Sequence, residues 1–244
     1  MEEKTNHFKG KNAIAHVAEK QAEGMISSAE IHGTEIPGHI GAFADSIRDT
    51  TVALLLISLL IPLNSFPTVL LYFLLGWASW RTGRAAWLGW SRLERLHRVL
   101  EQERWEIDHN RPQEKEELRE LYRAKGFEGQ LLEDVLEVLM ADGDRLLRVM
   151  VEEELGLSLK RLEHPIKQGI GALAGVLASG ILLFSASYWG SEMILLFTGI
   201  AIMGASSALL AHFARNRLIP AITWNIALIL LATGLTYYTL QLFK

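Results

Sequence analysis

The chain has no cysteine among its 244 residues, which excludes disulfides, thiolate metal ligands, iron–sulfur clusters and a cysteine nucleophile. Any metal it holds is bound by oxygen, nitrogen or thioether. Charge is also scarce, with 21% of residues charged against 50% hydrophobic and a mean hydropathy of +0.18, a balance too apolar for an ordinary soluble domain. There is no phosphate-binding glycine loop, zinc HExxH, nucleophile elbow or nucleic-acid module. A conventional enzyme, an organic cofactor and a nucleic-acid partner are therefore not expected. The first residues, MEEKTNHFKGKN, lack the basic start and short apolar core of a cleavable signal.

What is present is long apolar runs. Roughly 20 residues of helix cross a bilayer core, and residues 166–189, 193–213 and 218–243 each meet that length. Residues 50–63 reach it only if extended back through Ile40, Ala42 and Phe43, which brings in Asp45, Arg48 and Asp49. Residues 66–80 continue through RTGRAAWLGW as a helix leaving the membrane. The expectation is an all-α membrane protein with five spans. Basic residues fall on one side of that arrangement, at Arg48, at Arg81, Arg84, Arg92, Arg95 and Arg98, at Lys160, Arg161 and Lys167, and at Arg215 and Arg217, while the opposite loops PLNSFP and YWGSE carry none. By the positive-inside rule the N-terminus is cytoplasmic and the C-terminus outside, in the cell membrane.

The predicted organisation is an N-terminal arm (1–43), spans one and two (44–90), a cytoplasmic acidic helical domain (91–165) and spans three to five (166–244). The acidic insert holds 19 Asp and Glu against 13 Lys and Arg. Trp77, Trp80, Trp87 and Trp90 suggest one aromatic stripe on a helix that runs from the second span into SRLERLHRVLEQERWEI. Residues 109–112 break that helix, and Pro112 suits the first turn of the next. Gly126 suits its end, and ADGD separates two further helices, the last stopped by Gly156. In the arm, AEIHGTEIPGHIG reads as a loop, with Gly33, Pro37, Gly38 and Gly41 as breakers.

Glu103 and Glu106 are three residues apart, as are Glu114 and Glu117, so each pair projects from one helical face. Two antiparallel helices joined by DHNRPQ would bring those faces together. Four carboxylates so close need a cation to neutralise them, and helical bundles that bind iron or manganese use this geometry. The plainer reading makes them the wet face of charged helices, paired with Arg104, Lys115, Arg119 and Arg123. Spacing alone does not separate the two.

The stretch EKEELRELYRAKGFEGQLLEDVLEVLMADGDRLLRVMVEEELGL, with EQERWEI before it, resembles the metal-binding domain of the vacuolar iron transporter family. The resemblance implies five spans with this insert between the second and third, a homodimer, and Fe(II) or a similar divalent ion as substrate. It places the ligands on Glu103, Glu106, Glu114, Glu117, Met150 and Glu154. It also implies a membrane carboxylate on the ion path, here Asp49 in IRDTTVALLL. At the end of the second span, where the family pattern has methionine and glutamate, this chain has SWRTGR, with Trp80 and Arg84 at those places.

Further donors lie in the arm, at His7, His16, Glu19, Glu30, His32, Glu35 and His39, and an ordinary surface loop accounts for them as well as ligation does. The leading expectation is a divalent metal transporter, for Fe(II) and also Mn(II), moving ions out of the cytosol against protons. The alternative is a membrane-anchored iron-binding or sequestering protein, with or without ferroxidase chemistry, whose spans do not conduct; Trp80 and Arg84 favour it.

Overall fold

A computed structural model describes residues 36–153, 163–189 and 191–243. Every element among the described residues is a helix: α1 Gly38–Leu60, α2 Phe66–His109, α3 Arg111–Ala124, α4 Gly129–Met140, α5 Gly143–Glu153, α6 Pro165–Ser187, α7 Glu192–Phe213 and α8 Leu218–Leu242. The chain divides into two compact units, one containing Arg92–Leu162 and the other His32–Ser91 with Glu163–Lys244. The arm donors before His39, together with Glu154 and Gly156, lie outside the described residues.

In the larger unit α6, α7 and α8 are, among the described residues, the helices long and apolar enough to cross a membrane. α1 has 23 residues, but Asp45, Arg48 and Asp49 set its composition apart. It nevertheless lies along α6. A Cβ on Gly171 would collide with the His39 carbonyl oxygen and one on Gly175 with that of Phe43, so only glycine permits this approach. One further turn along, Thr51 Oγ1 and Ser179 Oγ share a buried hydrogen bond of 2.8 Å. These contacts advance together in both helices, so α1 and α6 run parallel. α2 runs the other way: Trp77 Nε1 donates to Thr50 Oγ1 at 2.9 Å, and Arg81, one turn on, reaches back to Ser46.

The core of this unit gathers Leu54, Leu55, Phe66, Leu70, Leu183, Leu195, Met203 and Ile229. The outward faces of the apolar helices carry Ile170, Leu177, Ile181, Phe197, Trp224 and Leu231, all exposed. Lipid is the medium such faces suit.

Two local readings are corrected. Gly38 and Gly41 do not break structure: α1 starts at Gly38 and continues through Gly41, because Gly38 is packed against Gln168 and Glu163. Nor do the four tryptophans share a face. At 100° per residue the four spread over about 140° of the helix with Trp77 at one edge, and it turns inward to Thr50 while Trp80, Trp87 and Trp90 are exposed.

In the smaller unit the end of α2 and helices α3, α4 and α5 enclose Ile107, Leu118, Leu121, Leu132, Leu136, Leu146, Leu147, Met150 and Val151. As expected, α2 ends at His109 and Pro112 falls in the first turn of α3. The Phe127 N–H returns to the Tyr122 carbonyl at 3.1 Å beyond Gly126, whose φ is +91°. Asp142 Oδ1 accepts the N–H groups of Asp144 and Arg145 at 2.9 and 3.2 Å, capping α5.

Candidate metal centre

The acidic pairs sit on the core side of their helices. Glu103 precedes the buried Ile107 by four residues, Glu114 precedes Leu118 and Glu117 precedes Leu121, and residues four apart share a helical face. Burial follows: Glu103 is 2% exposed, Glu114 0% and Glu117 1%. Glu106, at the margin of this face, is half-buried and accepts a hydrogen bond from Gln102 at 3.0 Å. Glu114 lies in the first turn of α3, where the helix dipole favours a carboxylate. Met150 is fully buried within the apolar cluster on α5.

The bases that the wet-face reading assigns to these glutamates form ion pairs with other acids. Arg104 pairs with Asp144 at 2.9 Å, Arg123 pairs with Glu120 and Lys115 lies 4.0 Å from Glu133. Arg119 forks onto both oxygens of Glu133, at 3.1 Å each, and also touches Glu116. Those hydrogen bonds raise the Arg119 guanidinium above its ordinary value, and the bond from Arg119 holds the Glu133 carboxyl below its own. Among the described residues, no three His, Asp or Glu side chains converge closely enough to hold an ion.

In the larger unit Asp49 is half-exposed, and Arg81 Nη1 reaches its Oδ2 at 2.7 Å. Arg81 is only 7% exposed, and its Nη2 donates to the buried Ser46 Oγ at 3.2 Å. Arg48, the chain neighbour of Asp49, is paired with Asp45, one turn earlier. The cation that meets Asp49 is thus Arg81, which in linear order stands among the flanking charges Arg84, Arg92, Arg95 and Arg98. Trp80 and Arg84, the residues singled out by sequence, are both exposed. The signal that identifies Arg81 is its spacing of four from Trp77, which puts both side chains on the face of α2 that bonds to α1.

An all-helical apolar bundle with an acidic helical unit in the same chain defines an integral membrane protein. A family model described as the VIT family matches residues 90–241, well over half of the chain. The chain belongs to that family, the vacuolar iron transporters, a membrane family of metal-ion transporters. No curated protein and no solved structure matches it. The matched range begins at residue 90, so Asp49, Trp80, Arg81 and Arg84 all lie before it.

Proposed function

We propose that the chain captures Fe(II), with Mn(II) as a second cargo, and moves it out of the cytosol in exchange for protons. Glu103, Glu106, Glu114 and Glu117 bind the ion with Glu154, Met150 adds a soft thioether, and Asp49 receives the ion within the bundle. The protein works as a homodimer in the cell membrane. It crosses the bilayer five times, with the acidic unit and N-terminus in the cytoplasm and the C-terminus outside.

The observation that carries this reading is the burial of Glu103, Glu114 and Glu117 on the core-facing sides of their helices. Glutamates that only keep a helix wet stay in water, whereas these three face the interior of their unit, where an acid is rarely placed without a role. Hard divalent ions take such oxygen ligands. Like charge opposes convergence of the four, so the full set is expected to close as the ion arrives.

Calorimetric titration of the whole protein in detergent with Mn(II) tests the ligand set. Glu103→Gln with Glu106→Gln is expected to weaken binding at least about tenfold, a loss of about 1.4 kcal/mol. Unchanged affinity dismisses the acidic unit as the capture site. Ion uptake by proteoliposomes, abolished by Asp49→Asn, tests translocation.

A further inference from the structure

Asp49 is half-exposed on α1, two residues before Thr51 and beside the apolar length of α6. α1 runs parallel to α6, and Thr51 is level with Ser179, the fifteenth residue of the 23 in α6. At 1.5 Å per residue that is about 20 Å from the start of an apolar helix about 34 Å long. Charged side chains at such depth are costly and mark function more often than architecture.

The charges at this level balance in pairs, Arg48 with Asp45 and Arg81 with Asp49. Arg81 is the more enclosed partner of its pair, and its Nε is buried with no hydrogen-bond partner among the described residues. Hydroxyl-bearing residues continue the polar seam on either side: Ser46 on Arg81, Thr50 on Trp77, and Thr51 on Ser179. No Asp or Glu occurs in α6 or α8, and in α7 Glu192 stands in the first turn.

We infer that Arg81 is a tethered cation that occupies the ion-binding position at Asp49, so that a divalent ion passes only when the guanidinium is displaced. The inference rests on the transport reading and adds to it a residue that limits the rate. With Arg81 in place the seam carries no net charge and presents a positive group to an arriving ion. Without it the seam is an acidic site lined by hydroxyls. The side chain therefore acts as a charge barrier whose removal favours cations.

The experiment uses the whole protein in proteoliposomes loaded with a divalent-sensitive dye, with Mn(II) outside. Arg81→Gln is expected to raise the initial rate at least about tenfold, since a unit charge a few ångströms from a divalent ion at intermediate dielectric exceeds that factor. Arg81→Lys, which keeps the charge, should stay near wild type. Adding Asp49→Asn to Arg81→Gln should remove the gain. Should Arg81→Gln not yield folded protein, Ser46→Asp, which offers the guanidinium a second carboxylate and releases Asp49, is expected to raise the rate instead. A wild-type rate that Arg81→Gln and Ser46→Asp leave unchanged or lower overturns the tethered cation and leaves transport standing. No uptake by wild type or either variant overturns both.

Discussion

Glu163 accepts the backbone N–H of His39 at 2.7 Å and also meets the His39 ring, joining the segment just before α6 to the first turn of α1. Lys167 Nζ stands 3.0 Å away on the same carboxylate. Burial pushes the Glu163 carboxyl up, but hydrogen bonds from Lys167 and His39 outweigh it and hold the group below its ordinary value. A carboxyl lowered on folding contributes stability that is complete above its unfolded value, about 4.3, and is lost as pH falls through the folded value. The melting temperature of the detergent-solubilised protein is expected to fall as pH drops below about 4, and Glu163→Gln should flatten that acid limb. An identical limb in the variant would assign the loss to other carboxylates.

Glu114 separates the energetics of folding from those of ligation. Its carboxylate is fully buried, so Glu114→Gln removes a buried charge while keeping the shape. The rise in melting temperature produced by Mn(II) should shrink, while the melting temperature without added metal reports what the carboxylate contributes to the fold by itself. Parallel loss of both would make Glu114 a structural acid alone.

Met150 permits a similar division. Met150→Leu conserves volume in the cluster of Leu118, Leu136 and Leu146 and should cost under about 1.5 kcal/mol, whereas Met150→Ala should cost about 2–5 kcal/mol. If the thioether ligates, Met150→Leu weakens Fe(II) affinity despite its intact stability, as titration of the folded variant would reveal.

Gly175 and Gly204 should respond oppositely to substitution. Alanine at 175 meets the Phe43 carbonyl and the Ser46 side chain, while at 204 the nearest atom is 3.8 Å away on Ile226. Gly175→Ala is expected to destabilise by about 1–3 kcal/mol. Gly204→Ala, in the interior of α7, should be neutral or stabilising by up to about 1 kcal/mol, and thermal melts in detergent compare the two.

Much of this was legible in linear order, because helix ends depend on local chemistry. Pro112, Gly126 and the acid at 142 mark the boundaries of the small helices where physical reasoning expects them. The core-side placement of Glu103, Glu114 and Glu117 was not legible. ExxE spacing puts both acids on one face but does not say whether that face is wet, which depends on how Ile107, Leu118 and Leu146 assemble from three helices. Arg81 was hidden for a related reason. In a row with Arg84 and Arg92 it counts as one more flanking charge, and its contacts with Asp49 and Ser46, more than 30 residues away in the chain, distinguish it. Gly38 misled because a glycine's tendency to end helices yields where neighbouring groups, here Gln168 and Glu163, need the space.

The backbone contacts at Gly171 and Gly175 also constrain motion. With carbonyl oxygens of α1 lodged where side chains of α6 would stand, neither helix can tilt or slide far without the other. Any cycle that opens Asp49 first to one face of the bilayer and then to the other must therefore swing α1 and α6 as one rigid paddle, with the hinge elsewhere.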